Sequence, residues 1–557
     1  MSQKAKKIFI VSLDGATFSV LRPLMEQGFM PNLAHMAAQG IASQLLSVVP
    51  PVTAPAWTSF MTGKQPSKHG IFDFRRFDEK DYTWKINNSD HIRSKTLWQL
   101  LGDNGKRVLV LNLPYTYPPY PVNGIMVSGW DAPFLDANFT YPPSLANEIL
   151  KEMPDYADNL DLPLSSNYPT RSDELFERFV GKILRGAEQG TKLASRLLRA
   201  EEWDVSMLHF QQTDWMQHNL WLYIEEACST DSNKSARAKK VRDCYQQIDR
   251  MLGSLFETLD STNTIKVVIS DHGFGRTRGN IYPNYFLRQW GYLVPLKSAA
   301  KNPVKDLLDT AARAARRVLR IATNKRIDSQ NLKMFRSFAE GMDATAPHQR
   351  LSIDWSNTKA ALVVGSETGF VYVNLKGRSP LGNVEPGPEY EKLVAELITK
   401  FEAVQHPQTG ERYFIRVARG SEVYADKLES VALPDIVLIP ADGLHFSYEI
   451  SNALPELSTH GNHRPEGVLF MEGPDLKSPS QGFNPQLIDL APTVLHILGL
   501  KVPADMDGKV LQEIFVSPQD VHFEEIDNSL VRDIKMEYNA EETELIEQRL
   551  KGLGYIE

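Results

Sequence analysis

Seven polar residues stand next to the ends of apolar runs, and their chemical types could hold two divalent cations around a hydroxyl group. They are Asp14, Thr53, Asp214, His218, Asp271, His272 and a histidine at 460 or 463. Carboxylate oxygens and imidazoles without a thiolate suit zinc in catalytic sites, with manganese or iron as alternatives. Two such ions about 3.5–4 Å apart form a clamp for in-line displacement at phosphorus. The threonine would then need no histidine base, because a cation stabilises its alkoxide.

Short apolar runs that are typical of buried parallel strands precede the acidic residues. These runs are Ile8–Leu13, Val205–Phe210 and Ile265–Ile269. Open α/β sheets bind their ligands at the carboxyl edge, where such residues would lie. The adjacent pair Asp271 and His272 is the most specific signal, because two polar groups that are costly to bury cluster at one strand end.

Each of the other candidates has a purely structural alternative. Asp14 could simply begin a turn with Gly15. Asp214 and His218 are four residues apart and would share one face of a helix, yet an N-cap and an exposed histidine would give the same spacing. Thr53 precedes a predicted helix with Pro55 in its first turn, so its hydroxyl could do no more than cap that helix.

Alternation of strand-like and helical segments predicts an α/β fold with a mostly parallel sheet. The 557 residues exceed one small domain, and 42% hydrophobic residues can form a large core. A net charge of −8 argues weakly against nucleic acid as a partner, and two cysteines exclude a disulfide framework. There is no run of about 20 apolar residues and no leader-like N-terminus. The expected location is therefore the cytoplasm.

One segment, residues 301–326, is basic and helical in pattern. Its arginines, at positions 313, 316, 317 and 320, lie away from much of a leucine- and alanine-rich stripe. Such a helix could dock on an acidic surface or on membrane headgroups. We favour the simpler interpretation that it is the solvated face of an inserted helix.

A series of motifs in family order resembles the alkaline phosphatase superfamily, and most closely its type I phosphodiesterase / nucleotide pyrophosphatase family. The motifs are LDG at 13, PNLAHMAAQG at 31, VPPVTAPAWTSFMTG at 49, HGIFDF at 69, TDWMQH at 213, SDHGFG at 270, NLKGRSPLGNVEPG at 374, GNHRPEGVLFMEGP at 461 and DLAPTVLHILGL at 489. The similarity extends over nearly the whole chain. It implies an alkaline-phosphatase-like core with helices on both faces of the sheet, in two parts at 1–295 and 351–515. A basic helical insertion at 296–350 and an acidic helical tail at 516–557 complete the expected organisation.

The resemblance also implies a role for each candidate. Thr53 resembles the nucleophile that becomes transiently phosphorylated or nucleotidylated. Asp14, Asp271 and His272 look like the ligands of the ion that activates it. Asp214, His218 and His463 look like the ligands of the ion that activates the attacking water. His463 is preferred to His460 because the family's ligand stands just before the turn and the following strand.

The expected activity is metal-dependent hydrolysis of a small phosphodiester or phosphomonoester through phospho-Thr53, with two ions, zinc or else manganese. Phe74 departs from the family, which usually has an asparagine donor there, so nucleotide specificity does not follow. A sulfatase is disfavoured because the segment that matures to formylglycine is absent. Two alternatives stay open: a phosphotransferase or phosphomutase on the same fold, and a non-catalytic metal-containing protein that docks on membranes.

Overall fold

The computed structural model describes residues 6–133, 138–156, 169–296, 353–365, 367–479, 482–526, 536–553 and 555. Its main feature is an eight-stranded sheet. In chain order the strands are β1 Lys7–Leu13, β2 Ile41–Leu46, β3 Val108–Leu113, β4 Gly124–Ser128, β5 Thr140–Tyr141, β6 Val205–Phe210, β7 Thr264–Ile269 and β8 Glu466–Glu472. Most of these segments are continuous apolar runs that are buried along almost their whole length, as expected of strands covered on both faces.

The spatial order of the strands is β2-β8-β7-β1-β6-β3-β4-β5. The five strands from β7 to β4 run parallel to one another, whereas β8 is antiparallel to both of its neighbours and β5 is antiparallel to β4. The prediction of an α/β fold with a mostly parallel sheet is confirmed. Because β8 runs in the opposite direction, its first residue lies at the edge where the parallel strands end.

Helices connect the strands, and most of them complete the hydrophobic core around the large sheet, whereas Pro283–Gln289, Pro388–Glu402 and Gly420–Val423 belong to a second cluster. The helices are Phe18–Glu26, Pro31–Gln39, Thr53–Thr62, Pro66–His69, Leu97–Asp103, Ser144–Glu152, Asp173–Ala200, Gln212–Cys228, Ala236–Phe256, Pro283–Gln289, Pro388–Glu402, Gly420–Val423, Leu490–Ile497 and Ala540–Leu553. Shorter 3-10 turns cover Ser89–His91, Leu487–Asp489 and Gln512–Ile514. In the part of the chain that the structure describes, no helix combines the length and the hydrophobicity needed to cross a bilayer.

A second, antiparallel sheet forms a separate hydrophobic cluster. Its strands are Ala360–Val364, Gly369–Val373, Phe414–Arg419 and Ile436–Pro440, and the helix Pro388–Glu402 packs on them. Shorter strands pair as Arg75–Asp78 with Thr83–Ile86, Gly273–Arg276 with Gly461–Arg464, Gly279–Ile281 with Leu444–Phe446, and Val502–Pro503 with Phe523–Glu524.

The basic insertion predicted at 296–350 lies, apart from its first residue, outside the described residues. The predicted acidic tail contains the helix Ala540–Leu553. The division of the chain into those four segments stays a prediction.

Candidate active site

Three neighbouring strands of the large sheet end at the same level, and each is followed by predicted ligands. Leu13 at the end of β1 pairs with Phe210 at the end of β6, and Ser12 pairs with Ile269 at the end of β7. Asp14, Asp214 and Asp271 therefore enter the same space beyond the sheet edge. His463 reaches that space from the strand Gly461–Arg464, which leads into the reversed strand β8.

The six predicted ligands form two groups of three, in each of which one ligand atom per residue lies within 4.8 Å of the others. We call Asp14, Asp271 and His272 the two-carboxylate cluster, and Asp214, His218 and His463 the two-imidazole cluster. The alternative histidine, His460, is not in either group. Its Nδ1 instead lies 3.3 Å from the backbone oxygen of His218.

In the two-carboxylate cluster, acceptor atoms face one another. His272 Nε2 lies 3.5 Å from Asp14 Oδ1 and 3.3 Å from Asp271 Oδ2. His272 Nδ1 is 3.1 Å from the carbonyl oxygen of Gly273. That contact assigns the ring proton to Nδ1, so the lone pair of Nε2 points at the two carboxylates.

The two-imidazole cluster repeats this pattern. His218 Nε2 and His463 Nε2 lie 3.0 Å apart, and each is 3.4 Å from Asp214 Oδ1. His463 Nδ1 lies 3.1 Å from the carbonyl oxygen of Pro51, which assigns its proton to Nδ1. His218 Nε2, His463 Nε2 and Asp214 Oδ1 thus converge on one point, as ligands of a cation do.

Among the described residues, the carboxylate oxygens that face each cluster have no hydrogen-bond partner. Asp14 Oδ1, Asp214 Oδ1 and Asp271 Oδ2 are buried there without a donor, although each would accept a hydrogen bond. A buried carboxylate oxygen without a partner is costly unless it is paired with a cation. The residues therefore fit two bound cations, and oxygen and nitrogen ligands suit zinc or manganese.

A neighbouring donor fixes the second oxygen of each of these carboxylates. Trp57 Nε1 donates to Asp14 Oδ2 at 2.9 Å, and the amide of Gly15 donates to Asp271 Oδ1 at 3.2 Å. Gly15 has a φ of 66°, and a Cβ atom there would come within 2.8 Å of the Phe274 ring. Only glycine therefore fits the turn that follows β1.

Asp214 Oδ2 has two donors, the side-chain amide of Gln211 at 3.1 Å and the hydroxyl of Tyr555 at 2.6 Å. All three carboxylates are thus held in the same way, with one oxygen hydrogen-bonded and the other directed at its cluster. Such outer partners orient ligands and tune their basicity.

Thr53 is the first residue of the helix Thr53–Thr62 and is fully buried. The N-cap position belongs to Val52, and the helix has no side-chain capping hydrogen bond. The hydroxyl of Thr53 lies instead 3.3 Å from His272 Nε2 and 3.3 Å from the hydroxyl of Tyr555. It therefore adjoins both clusters, one through His272 and the other through the hydroxyl that binds Asp214.

The two clusters differ in their electrostatics. Burial raises the pKa of Asp14 well above its usual range, and the charges of Asp271 and Asp214 raise it further. Burial likewise raises the pKa of Asp271 to about 8. Asp214 is equally buried, but His218 and His463 outweigh that effect and hold the pKa of its carboxyl well below the usual range. The neighbours of Asp214 therefore lower the pKa of its carboxyl, whereas burial dominates the pKa of Asp14 and Asp271.

Sequence reasoning missed the residues that surround the ligands, above all Tyr555. Trp57 lies in the nucleophile motif and Gln211 immediately follows β6, so their places in the sequence give a weak signal. Tyr555 stands 502 positions after Thr53, and nothing in its local sequence indicates the contact. Phe74, noted for lacking a donor, packs with its ring centroid 4.7 Å from that of Tyr555.

Comparison with known proteins gives one family and a set of similar folds. The model of the type I phosphodiesterase / nucleotide pyrophosphatase family matches residues 8–466. Human ectonucleotide pyrophosphatase / phosphodiesterase 5 is 14% identical with a TM-score of 0.51, covering 92% of this chain and 100% of that chain. Phosphonoacetate hydrolase from Sinorhizobium meliloti 1021, solved with phosphonoacetate, is 15% identical with a TM-score of 0.50, covering 89% and 95%. A search of curated protein sequences gives no match. At these identities, the solved structures show the fold alone.

Proposed function

The chain belongs to the type I phosphodiesterase / nucleotide pyrophosphatase family and is a phosphoric ester hydrolase, and from that premise we propose how its site works. Thr53 is the nucleophile, and the reaction passes through a phospho-threonine. The substrate is a small phosphodiester or phosphomonoester. The observation that carries the proposal is the position of the buried Thr53 hydroxyl, which adjoins two groups of converging lone pairs.

Two divalent cations, zinc or else manganese, would be held by the two clusters and would supply positive charge for the negative charge that develops at phosphorus. The two-carboxylate cluster adjoins the nucleophile through His272. The two-imidazole cluster lies on the side of Asp214 and Tyr555. The fit of these residues to cations rests on the three unpaired carboxylate oxygens described above.

The chain itself contributes the nucleophile and its orientation. Burial at the start of a helix fixes the Thr53 side chain, and the positive end of the helix dipole favours an anion beside it. Thr53 Oγ1 attacks phosphorus, the bond to the leaving oxygen breaks, and the alcohol departs with one proton. Water then attacks the phosphorus of phospho-Thr53, and the threonine hydroxyl is restored as phosphate or a phosphomonoester leaves.

Replacement of the nucleophile tests the proposal. Thr53→Ala is expected to lower turnover of bis-(p-nitrophenyl) phosphate and p-nitrophenyl phosphate by about 10³-fold or more, because no covalent intermediate can form. Metal content, measured by plasma mass spectrometry, is expected to stay at two ions per chain. Acid-quenched wild-type protein should show a phosphorylated peptide that contains Thr53.

Thr58→Ala is the matched control. Thr58 lies in the same helix and is equally buried, and its hydroxyl donates to the carbonyl of Ala54 at 2.8 Å, away from both clusters. This variant is expected to keep turnover close to that of the wild type. Turnover that persists in Thr53→Ala protein with its metals bound would exclude Thr53 as the nucleophile.

A further inference from the structure

The end of the chain contributes a hydroxyl to the candidate active site. Tyr555 donates to Asp214 Oδ2 at 2.6 Å and lies 3.3 Å from Thr53 Oγ1. Gln211 Nε2 donates to the same phenol oxygen at 3.3 Å. The tyrosine is 3% exposed, so this hydroxyl is an enclosed part of the site.

Aromatic rings hold the phenol in place. The ring of Tyr555 stacks on Trp130 with centroids 5.8 Å apart and an angle of 16° between the planes. Phe74 lies against the same ring, and both neighbours are themselves almost fully buried. Such packing fixes the position of the phenol oxygen before a substrate arrives, which is the condition for effective hydrogen-bond catalysis.

The helix Ala540–Leu553 anchors this tyrosine to the rim of the site. Arg549 is buried, and its guanidinium donates to the backbone carbonyls of Trp130, Ala132 and Pro133. Ile546 and Leu550 of the same helix are buried in the main core. The anchoring loop is therefore the one that also supplies the Trp130 ring.

Hydrogen-bond donors are scarce beside the nucleophile. Among the described residues, two side-chain atoms are in hydrogen-bond contact with Thr53 Oγ1, namely His272 Nε2 and the Tyr555 hydroxyl. His272 has its proton on the other nitrogen, and the Phe74 ring carries no donor. The phenol is thus the side-chain group that has a proton to give at this position.

We propose that Tyr555 is a catalytic residue that donates a hydrogen bond to a phosphoryl oxygen while Thr53 attacks. The inference rests on the proposed function, because it takes Thr53 Oγ1 as the attacking atom. A phosphorus atom in position for attack lies about 3–3.5 Å from that oxygen, so its non-bridging oxygens come within reach of a hydroxyl beside Oγ1. The hydroxyl hydrogen turns about the C–O bond while the ring stays in place. Its hydrogen bond to Asp214 is then replaced by one to the phosphoryl oxygen.

Tyr555→Phe is the deciding variant, because it removes the hydroxyl and keeps the stacked ring. The expected result is a fall in kcat of about 10²–10³-fold with little change in KM, since the lost interaction strengthens in the transition state. With zinc in excess, so that both clusters are filled despite the lost donor to Asp214 Oδ2, metal content is expected to match the wild type. Tyr538→Phe is the control within the same segment, where the ring stacks on Tyr117, and it is expected to leave kcat unchanged.

Three results would overturn the proposal. Unchanged turnover in Tyr555→Phe protein would show that the hydroxyl takes no part in the reaction. Faster turnover, in this variant or in Tyr555→Ala, would show that the tyrosine only covers the nucleophile. Loss of activity that excess zinc restores would show that the hydroxyl acts solely by orienting Asp214. Thr53→Ala, assayed in parallel, separates these results from failure of the proposed function, which would appear as turnover without Thr53.

Discussion

The two candidate ligand clusters lie side by side at one edge of the sheet, but the pKa values of their carboxyl groups are shifted in opposite directions before a cation binds. The two-carboxylate cluster places two acids and one imidazole together, and burial raises the pKa of both Asp14 and Asp271. The two-imidazole cluster has one acid between two imidazoles, and the pKa of Asp214 is held low. A cation therefore relieves repulsion in the first cluster, whereas in the second it replaces an existing attraction.

This difference also concerns Thr53, the proposed nucleophile. The cluster in which burial raises the carboxyl pKa values is the one whose His272 contacts Thr53. An alkoxide at Thr53 would be strongly disfavoured beside Asp14 and Asp271 unless positive charge were present. If Thr53 is the nucleophile, as proposed, its ionisation is tied to occupation of that cluster, and the metal-free protein is expected to be inactive.

The largest expected effect is an opposite change of stability when one ligand of each cluster is removed from metal-free protein. Asp271→Asn keeps an oxygen for the Gly15 amide and removes a buried charge, so the free energy of unfolding should rise by about 2–4 kcal/mol at pH 8. His218→Ala removes one of the two imidazoles that lower the pKa of Asp214 and should lower the free energy of unfolding by about 3 kcal/mol. Urea unfolding after chelation and dialysis measures both changes.

The pH dependence of the first variant has a definite sign. Because the folded pKa of Asp271 is raised, its contribution to stability is fully present below the unfolded pKa and is lost as pH rises towards 8. The advantage of Asp271→Asn should therefore be larger at pH 8 than at pH 5. With zinc added, both variants should be less stable than the wild type. Changes of the same sign in the metal-free variants would remove the distinction between the clusters.

A smaller effect is expected when an outer partner of one cluster is removed. Trp57→Phe deletes the donor to Asp14 Oδ2 and should weaken one of the two binding steps by about 10–100-fold, leaving the other unchanged. Competition with a chromophoric chelator resolves the two steps. Trp98→Phe is the control, because Trp98 is a buried tryptophan near the same helix whose Nε1 has no partner among the described residues. Equal weakening of both steps would show that the clusters are not independent.

How far the sequence predicts this arrangement depends on which interactions are local. The strands β1, β6 and β7 can be predicted because each is an apolar run followed by an acidic residue. Since parallel strands end at the same edge of a sheet, the sequence also predicts that Asp14, Asp214 and Asp271 meet there. Because β8 runs in the opposite direction, the ligand at this edge of the sheet precedes β8 in the sequence, as His463 does. The spacing of the motif favours His463 over His460. Tyr555 could not be found in this way, because its contacts with Thr53 and Trp130 depend on how a distant helix docks. The separate antiparallel sheet was likewise hidden, since its strands have the same apolar composition as those of the core.

The smallest expected effect uses a buried acid outside both clusters, as a reference for what burial alone does. Burial raises the pKa of Asp131 to about 7, and its Oδ2 accepts from the Tyr115 amide at 2.9 Å. Its stabilising contribution is therefore fully present below the unfolded pKa and is lost as pH rises to 7. Asp131→Asn keeps the acceptor and should remove about 1–2 kcal/mol of the wild-type decline in unfolding free energy between pH 5 and pH 7. This change should be the same with and without zinc, unlike that of Asp271→Asn, because no cluster contains Asp131. If the effect of Asp131→Asn depended on zinc, burial alone would not explain the raised pKa of Asp131. The charges of the two clusters would then also act on the loop that contains Asp131.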